Sequence, residues 1–274
     1  MIKINKDFND IPISLRVPNS DSETNEESNL THQYRLQVIK EKDYNNIRNK
    51  EGKGKRNNPV DERYKTPDIK EKLDKLYRNC GYCESEFTNS TRPTTVEHYR
   101  PKGEYYWLAF SWDNLFYACG KCNNPQVGGV GKGNKFGISG TKVDFDSNDL
   151  SNINSLSEKY NEKEKPKFIN PEFEDPEPKL SFNEQGEIKS DDERGKYTIL
   201  EIGLDRLELN QRRKNVIDEF IRGLEKIETD TSIDKKNKIR QEIIQFISHL
   251  NNFLAFRRYA IKHLLKERIQ KIIQ

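Results

Sequence analysis

Cys80-Gly-Tyr-Cys83 and Cys119-Gly-Lys-Cys122-Asn123 bracket the stretch whose reading decides the fold. Between them lie Val96-Glu97-His98-Tyr99-Arg100-Pro101-Lys102 and Trp112-Asp113-Asn114-Leu115. Each CxxC pair sets two thiols on a tight knuckle, and 35 residues separate the pairs. Four thiolates suit a tetrahedral zinc site with no open position, which makes it structural. Disulfides, a redox pair or an iron–sulfur cluster are the alternatives, and no other residue supports them. In a reducing compartment two CxxC pairs point to metal before disulfides.

Composition explains why such a staple matters. Charged residues make up 34% of the 274-residue chain and hydrophobic ones only 32%, so the core is small for the length. A structural zinc contributes on the order of 10–16 kcal/mol of binding free energy to folding. The net charge of +3 is unevenly spread: residues 35–78 hold 14 Lys/Arg against 8 Asp/Glu, residues 144–194 hold 15 acids against 7 bases, and residues 232–274 hold 10 bases against 3 acids. Basic elements flanking an acidic middle favour phosphate backbones, although solvated helix faces give the same pattern. No apolar run reaches the ~18 residues of a membrane helix, and Met1 to Pro18 lacks a signal-peptide core. A soluble, cytoplasmic protein without membrane contact is expected.

Outward from the knuckles, residues 1–18 read as a short strand pair and 19–29 as a loop. Leu30 to Asn49 reads as a charged helix. A second helix starts at Thr66-Pro67, with Thr66 as N-cap and Pro67 in the first turn. Tyr105 to Trp112 reads as a buried strand and helix start, residues 167–171 as a strand, and residues 179–189 as a hairpin turning at Gln185-Gly186. From Thr198 the periodicity is helical, ending in one long helix after the breaker at 229–234. The expected organisation is an amino-terminal arm (1–79), a zinc-bound core (80–145), an acidic strand and loop segment packed on it (146–195) and a carboxy-terminal helical region (196–274).

His98, Asn114 and Asn123 follow one another at intervals of 16 and 9 residues. A lone histidine is ordinarily structural, but this one follows a carboxylate and sits inside the zinc bracket. Hydrolysis of a phosphodiester needs an activated water and a cation for the developing charge. A neutral imidazole is a suitable general base near neutral pH. Glu97 offers a hard oxygen ligand for Mg²⁺ or Mn²⁺, and Asn123 an amide oxygen for the same ion. Asn114 can hydrogen-bond backbone and hold the histidine loop. Arg100 and Lys102 can meet phosphate oxygens, and Lys132 and Lys135 in the following glycine-rich loop can touch nucleic acid. That loop, Gly128 to Gly133, is not a Walker A motif: Gly133 follows the lysine where Ser or Thr is required, and Gln126 stands where the first glycine belongs. His32, His249 and His263 have no such context.

The order CxxC, Glu-His, Asn, CxxC-Asn resembles the zinc-bearing HNH endonucleases of the ββα-metal fold. The resemblance implies His98 as general base, Glu97 and Asn123 as ligands of the catalytic ion, Asn114 as a structural residue, and products with 5′-phosphate and 3′-hydroxyl ends. Two departures stand out: Glu97 occupies a position that is often Asp or His, and Asn123 one that is often His. An oxygen-rich site suits Mg²⁺ or Mn²⁺ better than zinc. Over residues 65–215, the segments CGYCE, VEHYRPKG, NPEFEDPE and GLDRLELNQRR are similar to the HNH subunits of Septu-type anti-phage systems, which implies an SMC-like ATPase partner and a nucleic acid substrate, DNA favoured over RNA. The expected fold is α+β: a small zinc-stapled ββα-metal core braced by N- and C-terminal helices. Two readings compete: a non-catalytic zinc-stapled nucleic-acid-binding or structural subunit, and a stand-alone HNH restriction-type nuclease.

Overall fold

The computed structural model describes residues 1–18, 24–55, 57–87, 94–125, 129–147, 153–230, 234–248 and 252–273. Two units are distinguished: Asn5–Arg78 with Thr88–Phe168, and Met1–Ile4 with Asn79–Phe87 and Ile169–Gln274. The fold is α+β: helices predominate and two small antiparallel sheets are present.

The first unit opens with helices α1 (Glu26–Glu41) and α2 (Tyr44–Gly52) where one helix was expected. Lys42 takes a left-handed conformation (φ 54°) and closes α1. The Asp43 side chain then accepts from Asn46 N–H and starts α2, so a local cap divides the charged run. Helix α3 (Pro59–Glu62) is capped by Asn58, and α4 (Pro67–Leu76) begins with Pro67 at its amino end. The Thr66 hydroxyl caps nothing; it hydrogen-bonds Ser14 and Asp68. No strand pair forms in residues 1–18. Among residues 5–18 the backbone forms only a 3-10 turn at Ile13–Leu15, while the Lys6 ammonium meets the Trp112 and Leu115 carbonyls at 2.7 and 2.5 Å.

Strand β1 (Thr94–His98) pairs antiparallel with β2 (Leu115–Cys119), register Thr94↔Cys119 through His98↔Leu115. Helix α5 (Gly120–Asn123) follows β2 directly. Every residue of β2 is buried, which matches its uninterrupted apolar run Leu-Phe-Tyr-Ala-Cys. The aromatic stretch from Tyr105 to Trp112 is buried as expected but is not a strand: it forms two 3-10 turns, Tyr106–Leu108 and Trp112–Asn114. Large rings pack here as a cluster of Tyr105, Trp107, Leu108, Val143 and Tyr160, and tight turns let consecutive rings share one core.

Helix α6 (Glu158–Glu164) supplies the charge that settles Arg100. Arg100 and Glu164 are both fully buried and meet at 2.9 Å. Arg100 also reaches Asn161 Oδ1 at 3.0 Å, and Glu164 accepts from the Tyr105 hydroxyl and Val143 N–H. Arg100 is thus withdrawn from the phosphate contact expected of it.

Residues 167–171, where the chain passes from the first unit to the second, form no strand; Phe168 and Ile169 are buried in irregular chain. The hairpin is real but short, β3 (Ser181–Phe182) with β4 (Ile188–Lys189). Gly186 takes φ 77°, and a Cβ there would lie 2.3 Å from the Asn210 carbonyl oxygen, so only glycine fits. Helices α7 (Glu193–Ile202) and α8 (Leu207–Thr229) follow. Arg213 of α8 is buried and donates to the Gly186 and Leu204 carbonyls. The expected long terminal helix is instead α9 (Lys235–Phe246), α10 (Leu254–Tyr259) with a π-helical turn at Ala260–Leu264, and α11 (Lys266–Ile273). Phe253, at φ 52°, precedes α10, and the Glu84 carboxylate accepts from Ala255 N–H and the terminal ammonium of Met1. Among the described residues no helix is long and apolar enough to cross a membrane.

A buried pair broken on one side costs more than a pair removed whole. Glu164→Ala is therefore expected to destabilise the fold by about 3–5 kcal/mol in urea unfolding, and Arg100→Met/Glu164→Leu by clearly less; a double variant as unstable as the single one would show that the charge is not what matters.

Candidate active site

The Cys80, Cys83, Cys119 and Cys122 thiols are all buried, and they are residues that could hold a metal ion. Four thiolates are the donor set of a closed, tetrahedral zinc site. The first knuckle is locked by its own backbone: Cys80 N–H donates to the Ser85 carbonyl, and Glu84, with φ 57°, donates to the Cys80 carbonyl.

Beside the second knuckle, in the first unit, a pocket of about 360 Å³ is lined by Tyr64, Thr95, Glu97, His98, Lys102 and Asn123 among others. Thr95 and Glu97 lie two apart in β1, on one face of the strand. α5 brings Asn123 back to that strand, where its Nδ2 donates to Thr95 Oγ1 at 2.8 Å. Thr95 Oγ1 spends its one proton on the Ala118 carbonyl at 2.9 Å. The hydroxyl can then only accept from Asn123, which fixes the amide with its nitrogen toward Thr95 and leaves Oδ1 as its acceptor. Thr95 was missed in the sequence, though the period of two from Glu97 pointed to it.

His98 is 5% exposed. Its Nε2 lies 2.9 Å from the Ala109 carbonyl oxygen, which only accepts, so Nε2 carries the proton and Nδ1 holds the basic lone pair. The Tyr64 ring stands edge-on to the imidazole at 4.6 Å. Burial, followed by the nearby Lys102 ammonium, holds the ring well below the usual histidine value. Asn114 clamps the turn after His98 from a fully buried position: Oδ1 accepts from Arg100 N–H at 2.8 Å, and Nδ2 donates to the Arg100 and Leu108 carbonyls.

Lys132 is displaced from its expected role. It is fully buried, with Nζ 2.7 Å from the His98 carbonyl oxygen and 2.5 Å from Glu97 Oε1. It neutralises the carboxylate and cannot reach nucleic acid from there. Gly131 (φ 112°) and Gly133 (φ 50°) make this possible: the loop turns back so that Lys132 and Gly133 N–H groups donate to the Cys122 and Asn123 carbonyls. A Cβ on Gly131 would lie 2.3 Å from the Asn124 carbonyl oxygen. Gln126 and Gly128 of the same loop lie outside the described residues, as does His249. Glu97 is 3% exposed, and burial pushes its carboxyl up against the opposing pull of Lys132. The ion pair is close but poorly aligned, so Oε1 has no well-formed hydrogen bond. Lys102 is half-buried on the pocket wall, its Nζ 5.3 Å from the centres of both Tyr44 and Tyr64. Lys135 lies off this pocket and donates to the Gly129 carbonyl. His32 and His263 do not line it.

Tyr64 was also unread in the sequence. Its hydroxyl donates to Asp61 at 3.1 Å, and Asp61 is shared with Tyr44 and Arg48 at 2.7 Å each. Helices α2 and α3 thereby hold a ring against His98, a relation no local spacing encodes.

Residues 80–126 match the family model described as HNH endonuclease. The chain is 28% identical over 218 residues to Septu protein PtuB of Bacillus mycoides (strain KBAB4), covering 71% of this chain and 68% of that protein. It is also 28% identical over 174 residues to Septu protein PtuA of the same strain, covering 58% of this chain but 22% of that protein. No solved structure matches.

Since the unfolded chain takes up a proton on His98 that the folded site resists, lowering pH through 6.5 removes stability. In ¹⁵N-detected spectra at pH 6.5 the His98 ring is expected to be neutral and protonated at Nε2; a half-protonated ring or an Nδ1–H tautomer would contradict the arrangement.

Proposed function

We propose that this chain, which carries an HNH domain and is PtuB-like, is a divalent-metal-dependent endonuclease and the nuclease component of a Septu-type defence complex. The observation that carries the catalytic part is the pairing of a base with oxygen donors: His98 Nδ1 basic in one pocket with the Glu97 carboxylate and the oriented Asn123 amide. Glu97 and Asn123 would hold Mg²⁺ or Mn²⁺, which when bound supplies positive charge for the phosphoryl oxygens. Zinc in the four-cysteine cluster is structural.

The chain's own residues do the rest. His98 takes a proton from water at Nδ1 and, through Nε2–H on the Ala109 carbonyl, keeps the ring facing one way. The strand face holds Glu97, and Thr95 sets the Asn123 amide so that its oxygen is presented. Asn114 keeps the turn after His98 from relaxing. Lys102, on the pocket wall, adds positive charge near an incoming phosphate. Burial of His98 keeps the base unprotonated at neutral pH.

Likeness to Septu proteins PtuB and PtuA supports placement in such a system with a PtuA-like partner; that the partner is an SMC-like ATPase and that the substrate is DNA are further parts of the proposal. A non-catalytic zinc module shares the cysteine cluster but has no use for a tautomer-fixed histidine beside a buried carboxylate.

The test compares wild type with His98→Ala on plasmid DNA, single-stranded DNA and structured RNA with Mg²⁺ or Mn²⁺, with and without the PtuA-like partner. Cleavage by the wild type is expected to fall by roughly 10²–10⁴-fold in the variant, with zinc content unchanged. Equal cleavage by both proteins, or none by the wild type even with the partner, would reject the catalytic reading.

A further inference from the structure

Helices α2 and α3 enclose a second cavity of about 360 Å³ in the same unit as the His98 pocket. Its wall carries four cations, Arg48, Lys53, Lys55 and Lys65, against two acids, Asp61 and Glu62. Asp61 is committed to Tyr44, Tyr64 and Arg48, and Glu62 lies 3.7 Å from Lys65. Lys53 and Lys55 are exposed. The cleft therefore presents an excess of positive charge in a concave, polar setting.

This cleft is built. Asn58 crosses it: Nδ2 donates to the Arg48 carbonyl, and Oδ1 accepts from Val60 and Asp61 N–H groups. A Cβ on Gly52 would lie 1.7 Å from Asn58 Nδ2, so that glycine is required for the crossing. Gly54, at φ 74°, makes the turn between the two lysines, and Lys55 N–H donates to the Gly52 carbonyl.

Tyr64, which lines the pocket, follows Asp61 and Glu62 of the cleft and precedes its Lys65. The Tyr64 ring has Lys65 Nζ from the cleft and Lys102 Nζ from the pocket each 5.3 Å from its centre, and its edge meets His98. Lys53, Lys55 and Lys65 line the cleft, and Lys102 lines the pocket on which Tyr64 also borders. Such cations match a chain of phosphates, and they read backbone charge without reading sequence.

We propose that the α2–α3 cleft is the track along which the phosphodiester backbone of the substrate reaches the His98 pocket, an inference that rests on the nuclease reading of that pocket. The occupant is nucleic acid, and the recognition is electrostatic.

The test uses the full chain in a His98→Ala background, so that binding is measured without cleavage. Lys53→Glu/Lys55→Glu is compared with Lys226→Glu/Lys236→Glu, an equal charge change at exposed positions on α8 and α9. Labelled DNA and RNA oligonucleotides are titrated by fluorescence anisotropy across a salt series. The cleft variant is expected to bind at least about tenfold more weakly than the control, with a log–log salt slope smaller by about two. Lys53→Gln/Lys55→Gln, which keeps the loop free of new charge, should lose a similar slope. Equal affinity and slope in cleft and control variants, or no binding of either oligonucleotide by the His98→Ala parent, overturns the proposal. The nuclease reading is judged separately: a wild type that cuts while the cleft variants bind normally leaves it standing, and a protein that binds through the cleft without cutting rejects it alone.

Discussion

The pocket depends on one antiparallel register, Glu97↔Phe116, between two five-residue strands. Side chains alternate along a strand, so a shift of one residue would send Thr95 and Glu97 to the opposite face. In the observed register the two share a face, and the turn into α5 brings Asn123 onto Thr95. The two strands are tied in this register by the Thr95 hydroxyl, which donates to the Ala118 carbonyl of the fully buried β2. Asn114 then closes the other end by bonding the backbone on both sides of Arg100.

Charge inside this site is handled by pairing. Lys132 lies on Glu97 and Arg100 on Glu164, each pair almost wholly buried. Removing either cation would strand a carboxylate in a low-dielectric interior, where the desolvation cost is several kcal/mol. Two of the four cations that sequence reading would send to phosphate, Arg100 and Lys132, are therefore held inside.

The sequence carried the motif chemistry and lost the long-range geometry. Two CxxC pairs, the Glu97-His98 pair, Asn114 and Asn123 were legible because spacing and residue type restrict what they can do. Arg100 and Lys132 were misread because burial is a tertiary property: Glu164 lies 64 residues from Arg100, and the loop that buries Lys132 turns on two glycines whose positive φ local pattern does not announce. The long helices failed at particular residues, Lys42 and Phe253, whose left-handed backbone is set by caps and packing and not by apolar periodicity. The aromatic run became 3-10 turns for the same reason; β propensity reports a fit to a pleated surface, and here the rings pack around turns. Tyr64 and Asp61, which hold the histidine from an earlier helix, had no local signature at all.

The central claim is that one pocket holds a divalent ion beside a histidine base, and the most direct measurement is an anomalous difference map from crystals of the protein grown with Mn²⁺. The account predicts a peak in the pocket bonded by a Glu97 carboxylate oxygen and the Asn123 amide oxygen, with His98 Nδ1 facing the ion's water shell and its Nε2 on the Ala109 carbonyl. A well-ordered pocket with no peak at saturating Mn²⁺, or a peak ligated by other residues, would contradict it.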